Sequence, residues 1–257
     1  MEGFSFVAKP TLNFNSPVIA HRGASAYAPE NTMAAFMKAA QLGIKWVEFD
    51  VMLSALEEPV IFHDDILERT TNGRGLINDY PYNYLSTLDA GRWFAPAFSG
   101  ERIPLLRQLL VFLSEMQMFA NVELKCLPGH EESIVKKTVA VVGSVLSKPF
   151  PTLLFSSFSF QIMYALRRHL PDALLGLLLE QWEPQWEQHC KDLDCVSIHV
   201  DELILTEEKA AKIKAMGKLL FCYTVNNPAR AAELYSWGVD AVFSDVPDTI
   251  LKVGWAR

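Results

Sequence analysis

The stretch 17-PVIAHRGASAYAPENTMAAFMKAAQLGIKWVEFDVML-53 predicts a strand, a helix and a second strand in that order. The middle of the stretch carries apolar residues at helical spacing, namely Met33, Phe36, Met37 and Ala40. On either side, 17-PVIA-20 and 45-KWVEFDVML-53 have the short apolar or alternating pattern of strands. This order favours parallel strands joined through helices, the repeating unit of α/β folds.

The same alternation continues to the end of the chain. Further strands are predicted at 119-FANVELK, 152-TLLFSS, 173-ALLGLLL, 194-DCVSIHV, 218-KLLFCYTV and 239-VDAVFSD, with helices between them. Eight principal strands in 257 residues predict an α/β fold, a single TIM (β/α)8 barrel, which typically takes about 250 residues. The short strand 59-PVIFHD is surplus to this count. Because composition does not change along the chain, we expect one domain over 1–257.

Residues 64–103 interrupt the alternation with turn signals and several aromatic side chains. A structureless loop of roughly 40 residues is unusual in a compact domain. We therefore expect a small insertion after the second strand, packed over the face of the barrel that carries the active site.

Composition and charge exclude several classes of protein. The net charge of -7 argues against a broad nucleic-acid surface or a polybasic membrane anchor. The sequence shows no secretory signal and no run of the roughly 18 apolar residues that a membrane span needs. Its four cysteines have no metal-ligand spacing, as expected of free thiols in a reducing compartment. These features predict a cytoplasmic protein without a membrane span or a nucleic-acid partner.

Several predicted strands end in polar residues. In a TIM barrel the reactive groups lie at the carboxyl ends of the strands, where the loops converge. The polar groups at these ends are His21-Arg22, Glu48 with Asp50, His63-Asp64, and Glu123 with Lys125. His199, near the end of the sixth strand, is a further candidate contact to a substrate.

The spacing of the carboxylates predicts a metal site. Glu48 and Asp50 are two residues apart, so on a strand both project from one face, here into the barrel. Buried carboxylates without partners are costly, and a hard divalent cation removes that cost. Glu123 offers a third oxygen ligand, with Lys125 on the same face. A single E-x-D pair would more often be bonded to Arg or Lys, but the combination favours Mg²⁺ or Ca²⁺.

Phosphodiester hydrolysis uses all of these groups. A cation, a guanidinium and a lysine neutralise the charge on the phosphoryl oxygens, while two histidines transfer protons. General acid–base catalysis contributes about 3–5 kcal/mol per group. Enzymatic accelerations correspond to about 8–23 kcal/mol. Two histidines alone therefore fall short, which favours a metal-assisted reaction.

The segments 21-HRGASAYAPENTMAAF-36, 48-EFDV-51, 62-FHDDILERTTNGRG-75 and 123-ELK-125 together resemble the glycerophosphodiester phosphodiesterase family, within the phosphatidylinositol-phospholipase-C-like phosphodiesterase superfamily. The resemblance continues through 156-SSF-158, 223-YTVN-226 and 238-GVDAVFSDVPD-248, so it covers nearly the whole chain. One departure is 54-SALEEP-59, which stands where the family usually has a Thr-x-Asp-Gly turn. That change removes none of the candidate reactive residues.

The resemblance implies a role for each matching residue. His21 and His63 correspond to the acid/base pair, Arg22 and Lys125 to the phosphate contacts. The metal ligands correspond to Glu48, Asp50 and Glu123. Glu30 is either an outer metal ligand or a residue that caps the next helix.

The resemblance also implies the reaction, hydrolysis of glycerophosphodiesters to sn-glycerol 3-phosphate and an alcohol with a divalent metal. The expected substrates are small deacylated phospholipids such as glycerophosphocholine and glycerophosphoethanolamine. The alternatives are a lysophospholipase D-type activity, with Tyr80, Tyr82, Trp93 and Phe94 lining an acyl groove, and a non-catalytic binding barrel. Direct attack by water and a cyclic phosphate route both remain open, as do the alcohol, the ion and the oligomeric state.

Overall fold

The computed structural model describes residue 12 and residues 14–145 and 152–254. The strands in these ranges are β1 Val18–Ala20, β2 Trp46–Leu53, β3 Pro59–Ile61, β4 Phe119–Leu124, β5 Leu153–Ser157, β6 Leu174–Leu179, β7 Ser197–Asp201, β8 Leu219–Tyr223 and β9 Ala241–Ser244. The α-helices are α1 Met33–Gln41, α2 Tyr82–Leu85, α3 Leu106–Glu115, α4 Glu131–Val145, α5 Phe160–His169, α6 Trp186–Asp192, α7 Glu207–Ala215, α8 Pro228–Ser236 and α9 Pro247–Leu251. Short 3-10 helices cover Ile77–Asp79 and Pro96–Phe98.

Eight of the strands form a closed parallel barrel. The order around the ring is β1, β9, β8, β7, β6, β5, β4 and β2, and β1 then pairs with β2 through Ala20 and Val47. The surplus strand β3 lies outside the ring and pairs antiparallel with β2. Helices connect the ring strands, so the predicted TIM barrel with an insertion after its second strand is confirmed.

The two faces of strand β2 contribute to different parts of the molecule, the core outside the barrel and the barrel interior. Val47 and Phe49 belong to the large apolar cluster between strands and helices. Glu48 and Asp50 alternate with them and are also buried, which agrees with the predicted inward orientation. Trp46, the first residue of β2, packs against Phe14 at a ring-centroid distance of 4.8 Å and belongs to a separate apolar cluster. That cluster stabilises the barrel by about 1.5–3 kcal/mol for each large side chain buried.

The insertion has an apolar core of its own. Its buried side chains, together with those of the β2–β3 hairpin, are Met52, Val60, Phe62, Leu67, Ile77, Leu85, Leu88, Ala90 and Ile103. The hairpin turn that departs from the family pattern is closed by the amide of Ser54, which donates to the carbonyl of Glu58 at 3.0 Å. The segment is therefore folded rather than structureless. The single domain expected over 1–257 also includes residues 1–11, 13, 146–151 and 255–257, which lie outside the described residues.

Candidate active site

Three buried carboxylates lie together on the neighbouring strands β2 and β4. Asp50 on β2 pairs in register with Glu123 on β4. Glu48 lies two residues before Asp50, on the same face of β2. One oxygen from each carboxylate lies within 4.8 Å of the others. Among the described residues, Oε1 of Glu48 is buried without a hydrogen-bond partner. Oε1 of Glu123 is likewise buried without one. Three converging carboxylates, two of them with an oxygen that lacks a hydrogen-bond partner, fit a divalent cation.

The electrostatics of this group fit a cation as well. Burial raises the pKa of Glu48 well above its usual value, and the neighbouring Asp50 and Glu123 raise it further. Burial also raises the pKa of Glu123, to about 7, against the opposing charge of Lys125. At Asp50 burial acts in the same direction, but the charges of Lys125 and Arg22 outweigh it and lower the pKa. The site thus concentrates more negative charge than its own cations balance.

Lys125 and Arg22 flank the carboxylates. The Lys125 Nζ atom lies 3.3 Å from Asp50 Oδ1 and 3.3 Å from Glu123 Oε1. The Arg22 backbone amide donates to Glu48 Oε2 at 2.9 Å, and its Nε atom lies 3.5 Å from Asp50 Oδ2. Both cations are therefore held against the three carboxylates.

The loop after β1 explains the His-Arg-Gly sequence. Arg22 and Gly23 both adopt left-handed backbone conformations, with φ of 54° and 83°. A Cβ atom on Gly23 would lie 2.7 Å from the backbone of Ala35 in α1, so only glycine fits there. The tight turn directs the Arg22 amide at Glu48 while its side chain stays in the site.

His21 follows β1 and is paired with a carboxylate from the other end of the chain. Its Nδ1 atom lies 2.8 Å from Asp245 Oδ1, and its Nε2 atom lies 4.0 Å from Glu48 Oε2. Asp245 also accepts hydrogen bonds from Ser25 Oγ at 2.8 Å and Asn226 Nδ2 at 2.7 Å. Although burial opposes ionisation, the hydrogen bond from His21 and its charge help lower the pKa of Asp245 to about 2. The pair leaves Nε2 of His21 on the side of the carboxylates.

His63 follows the β3 segment and is paired with its own neighbour. Its Nδ1 atom bonds Asp64 Oδ1. Burial lowers the pKa of His63, against the opposing charge of Asp50. The charge of Lys125 lowers the pKa of His63 as well, so both Asp50 and Lys125 act on this ring.

The structure places Glu30 with arginines rather than with the three carboxylates. Its Oε1 atom accepts a hydrogen bond from Arg22 Nη1 at 2.7 Å, and Arg69 donates to both of its oxygens. Helix α1 begins after Thr32, and the amide of Ala34 donates to Glu101 instead. Glu30 is therefore neither grouped with the candidate metal ligands nor bonded to the start of the helix.

His199 lies inside the barrel and is fully buried. Its ring packs against Phe221 and Phe243 at centroid distances of 5.1 and 5.2 Å, and its Nε2 atom bonds Ser197 Oγ at 2.9 Å. Burial lowers its pKa to about 3, so the ring is neutral. Within the described residues, no hydrogen bond or ion pair joins His199 to the other candidates.

Four side chains that contact the candidates had no assigned role in the sequence analysis: Asn31, Asp64, Arg69 and Asp245. Asn31 donates from Nδ2 to Asp50 Oδ2 at 2.8 Å, which fixes the orientation of that carboxylate. All four lie within the segments that carry the family resemblance. Their place in these segments could have marked them as site residues, but it does not reveal which side chain each one contacts.

Comparison with known proteins places this site in a family. A sequence model of the Glycerophosphoryl diester phosphodiesterase family matches residues 21–249, the range that holds every site residue described above. The chain belongs to this family. A glycerophosphodiester phosphodiesterase of Caldanaerobacter subterraneus subsp. tengcongensis is 32% identical over 243 residues, covering 92% of this chain and 96% of that protein. One of Bacillus subtilis (strain 168) is 31% identical over 254 residues, covering 91% and 85%.

A solved structure supports the same family assignment. The phosphodiesterase of Oleispira antarctica, in complex with the product sn-glycerol-3-phosphate, is 40% identical and superposes with a TM-score of 0.89 over 92% of this chain and 95% of that one. The chain is thus a glycerophosphodiester phosphodiesterase, as the sequence predicted, with a small-molecule substrate. Family membership and the buried carboxylates together indicate a divalent-metal site. In the described ranges, no helix has both the length and the apolar character needed to cross a membrane.

Proposed function

We propose that this enzyme hydrolyses deacylated phospholipids, such as glycerophosphocholine and glycerophosphoethanolamine, to sn-glycerol 3-phosphate and an alcohol with the help of a divalent cation. The observation that carries the proposal is the buried group of Glu48, Asp50 and Glu123 between Arg22 and Lys125. The product bound to the Oleispira enzyme supports the glycerol phosphate half of the substrate. A cytoplasmic location forms part of the proposal, and the free cysteines agree with it.

The three carboxylates would hold the cation through oxygen atoms alone, which suits Mg²⁺ or Ca²⁺. When bound, the ion supplies positive charge to the phosphoryl oxygens. Arg22 and Lys125 add the remaining positive charge. Arg22 presents a planar fork of donors to two oxygens, whereas Lys125 acts as a point charge.

His21 and His63 form the proton-transfer pair in this proposal. Each has its Nδ1 atom bonded to an aspartate, which leaves Nε2 free to exchange a proton with the substrate. One ring accepts the proton of the attacking hydroxyl, and the other donates a proton to the departing alcohol oxygen. The attacking hydroxyl belongs either to water or to the 2-position of the substrate glycerol. Both routes add ¹⁸O from labelled water to the product, but only the second forms a cyclic phosphate, which phosphorus NMR detects.

The aromatic side chains suggested for an acyl groove contact one another and the backbone of the insertion. Tyr80 packs on Tyr84 at 4.6 Å, and the hydroxyl of Tyr82 donates to the carbonyl of Ile103. Trp93 packs on Phe94 and donates from Nε1 to the carbonyl of Ala90. These contacts lie within the insertion, so the water-soluble diester is the substrate class that we propose.

The test is release of sn-glycerol 3-phosphate from glycerophosphocholine before and after EDTA treatment. We expect EDTA to abolish release and Mg²⁺ or Ca²⁺ to restore it, because the carboxylates repel one another without a cation. Glu48→Gln should remain inactive when the ion is restored, while Glu187→Gln, in an exposed ion pair with Lys212, should behave as the native enzyme does. Full turnover in EDTA by folded protein would refute the metal dependence.

A further inference from the structure

Arg69, in the insertion, connects the two loops that carry Arg22 and His63. It donates four hydrogen bonds, two to Glu30 and two to Asp64. We propose that Arg69 is a positioning residue, which orients the phosphate contact Arg22 through Glu30 and the proton-transfer residue His63 through Asp64. This inference rests on the proposed function, since it assumes the roles assigned there to Arg22 and His63.

The contact with Asp64 fixes the imidazole of His63. Arg69 donates from Nε to Asp64 Oδ2 and from Nη2 to Oδ1 at 3.0 Å. The same Oδ1 atom bonds Nδ1 of His63. Because an ionised carboxylate only accepts hydrogen bonds, Nδ1 must carry the proton in the neutral ring and Nε2 must present its lone pair. Arg69 thus selects the tautomer by holding the carboxylate in place.

The contact with Glu30 fixes the guanidinium of Arg22. Arg69 donates from Nη1 to Glu30 Oε2 at 2.7 Å and from Nη2 to Oε1 at 2.8 Å, a bidentate pair. Oε1 of Glu30 also accepts the bond from Arg22 Nη1 at 2.7 Å. The side chains therefore form an unbroken line of hydrogen bonds, in the order Arg22, Glu30, Arg69, Asp64 and His63, and the charges alternate from Arg22 to Asp64.

This arrangement differs from an ordinary surface salt bridge. The Arg69 side chain is 44% exposed, but the side chains of Glu30 and Asp64 are only 13% and 19% exposed. Removing Arg69 takes one partner from each of these carboxylates, which costs stability, but Glu30 keeps its bond from Arg22 and Asp64 keeps its bond to His63. Misplacing two reacting groups affects the rate far more, because catalysis depends on their alignment.

The backbone around Arg69 is held independently of its side chain. Leu67 is fully buried in the core of the insertion, and its amide donates to the carbonyl of Gly75. Thr71 Oγ1 donates to the carbonyl of Leu67 at 2.6 Å. A substitution at position 69 should therefore remove the side-chain bonds without unfolding the segment.

The experiment compares kcat and KM for four variants of the metal-loaded enzyme. Arg69→Met should lower kcat and raise KM, with kcat/KM reduced by about 10–100-fold, the usual effect of losing a residue that orients a ligand group. Asp64→Asn should lower mainly kcat, and Glu30→Gln should raise mainly KM. The matched control is Arg74→Met, because Arg74 is an exposed arginine of the same segment and should leave both constants unchanged.

Two further measurements separate positioning from general damage. Arg69→Lys keeps the charge but cannot form bidentate bonds to two carboxylates, so it should restore only part of the activity. The double variant Arg69→Met/Asp64→Asn should have a kcat close to that of the worse single variant, because both changes remove the same support of His63. Kinetic constants for Arg69→Met equal to those for Arg74→Met would overturn the proposal, as would fully additive losses.

A readout without turnover keeps this test distinct from the proposed function. In nitrogen-15 spectra of the histidine side chains, the Nδ1–H resonance of His63 should broaden or shift in Arg69→Met and stay in place in Arg74→Met. The resonance is assigned by its loss in His63→Gln. If the native enzyme does not cleave glycerophosphodiesters, the proposed function fails, whereas an unchanged His63 signal in Arg69→Met overturns only the role of Arg69.

Discussion

The two histidines of the site have similar partners that are supported in different ways. His21 is bonded to Asp245, which lies 224 residues later in the chain, whereas His63 is bonded to the next residue, Asp64. Neutral donors, Ser25 and Asn226, hold Asp245. A guanidinium, that of Arg69, holds Asp64.

Both histidines bond an aspartate through Nδ1, but the two pairs differ in their electrostatics. Among the described residues, the side chains that bond Asp245 besides His21 are the neutral Ser25 and Asn226. The charge of Asp64 is already paired with Arg69, so it offers His63 orientation more than charge. Burial further lowers the pKa of His63. We therefore expect the two pairs to respond differently when the same change is made in each.

The largest effect is expected from removing either ring. His21→Gln and His63→Gln should each lower kcat by about 10²–10⁴-fold, because each removes one proton transfer. A diester whose leaving group is p-nitrophenol needs no proton on the departing oxygen. The variant that has lost the proton donor should therefore recover most of its rate with that substrate, and the other should not. Equal defects of both variants on both substrates would contradict the division of roles.

An intermediate effect is expected from the two aspartates. Asp245→Asn should lower kcat by about 100-fold and Asp64→Asn by about 10-fold, within the usual range for a residue that orients a catalytic group. The larger value belongs to Asp245 because that change removes both the orientation of the His21 ring and the charge bonded to its Nδ1 atom. The measurement is kcat on glycerophosphocholine at saturating Mg²⁺. A larger loss in Asp64→Asn would show that charge on Asp64 matters despite Arg69.

The smallest effect concerns stability and pH. Burial lowers the pKa of His63, so near the usual histidine pKa of about 6.5 the unfolded chain binds more protons at this residue than the folded one. Stability from this residue therefore rises with pH through that region and falls as pH drops below it. In EDTA, the free energy of unfolding of the native enzyme should rise more steeply between about pH 5 and 7 than that of His63→Gln. Parallel pH dependences would mean that the fold does not perturb His63.

The barrel and most of the site were predictable because they depend on local spacing. The two-residue period of a strand places Glu48 and Asp50 on one face, and the alternation of strands and helices leaves few topologies other than the barrel. The contact of His199 with substrate stays a prediction, because spacing does not tell how deep in the barrel a residue lies. Strand β7 runs to Asp201, so His199 lies one inward position below the mouth.

Contacts between distant segments were not predictable. The pairing of His21 with Asp245 requires β1 and β9 to be neighbours, which follows from closure of the ring and not from either local sequence. The partners of Glu30 depend on the path of the insertion, which returns Arg69 to the first loop. A carboxylate in a family motif can bind a metal or an arginine, and only the three-dimensional arrangement decides between them.

Closure of the ring also imposes an order on how the enzyme becomes functional during synthesis. Strands β2 and β4 are neighbours in the ring and lie early in the chain, so the carboxylate group can assemble while later segments are still being made. Asp245 leaves the ribosome among the last residues of the barrel and reaches His21 only when β9 has paired with β1. On the proposed roles of these residues, a growing chain would bring its cation ligands together before it could turn over substrate, and the onset of hydrolysis would mark the completion of the barrel.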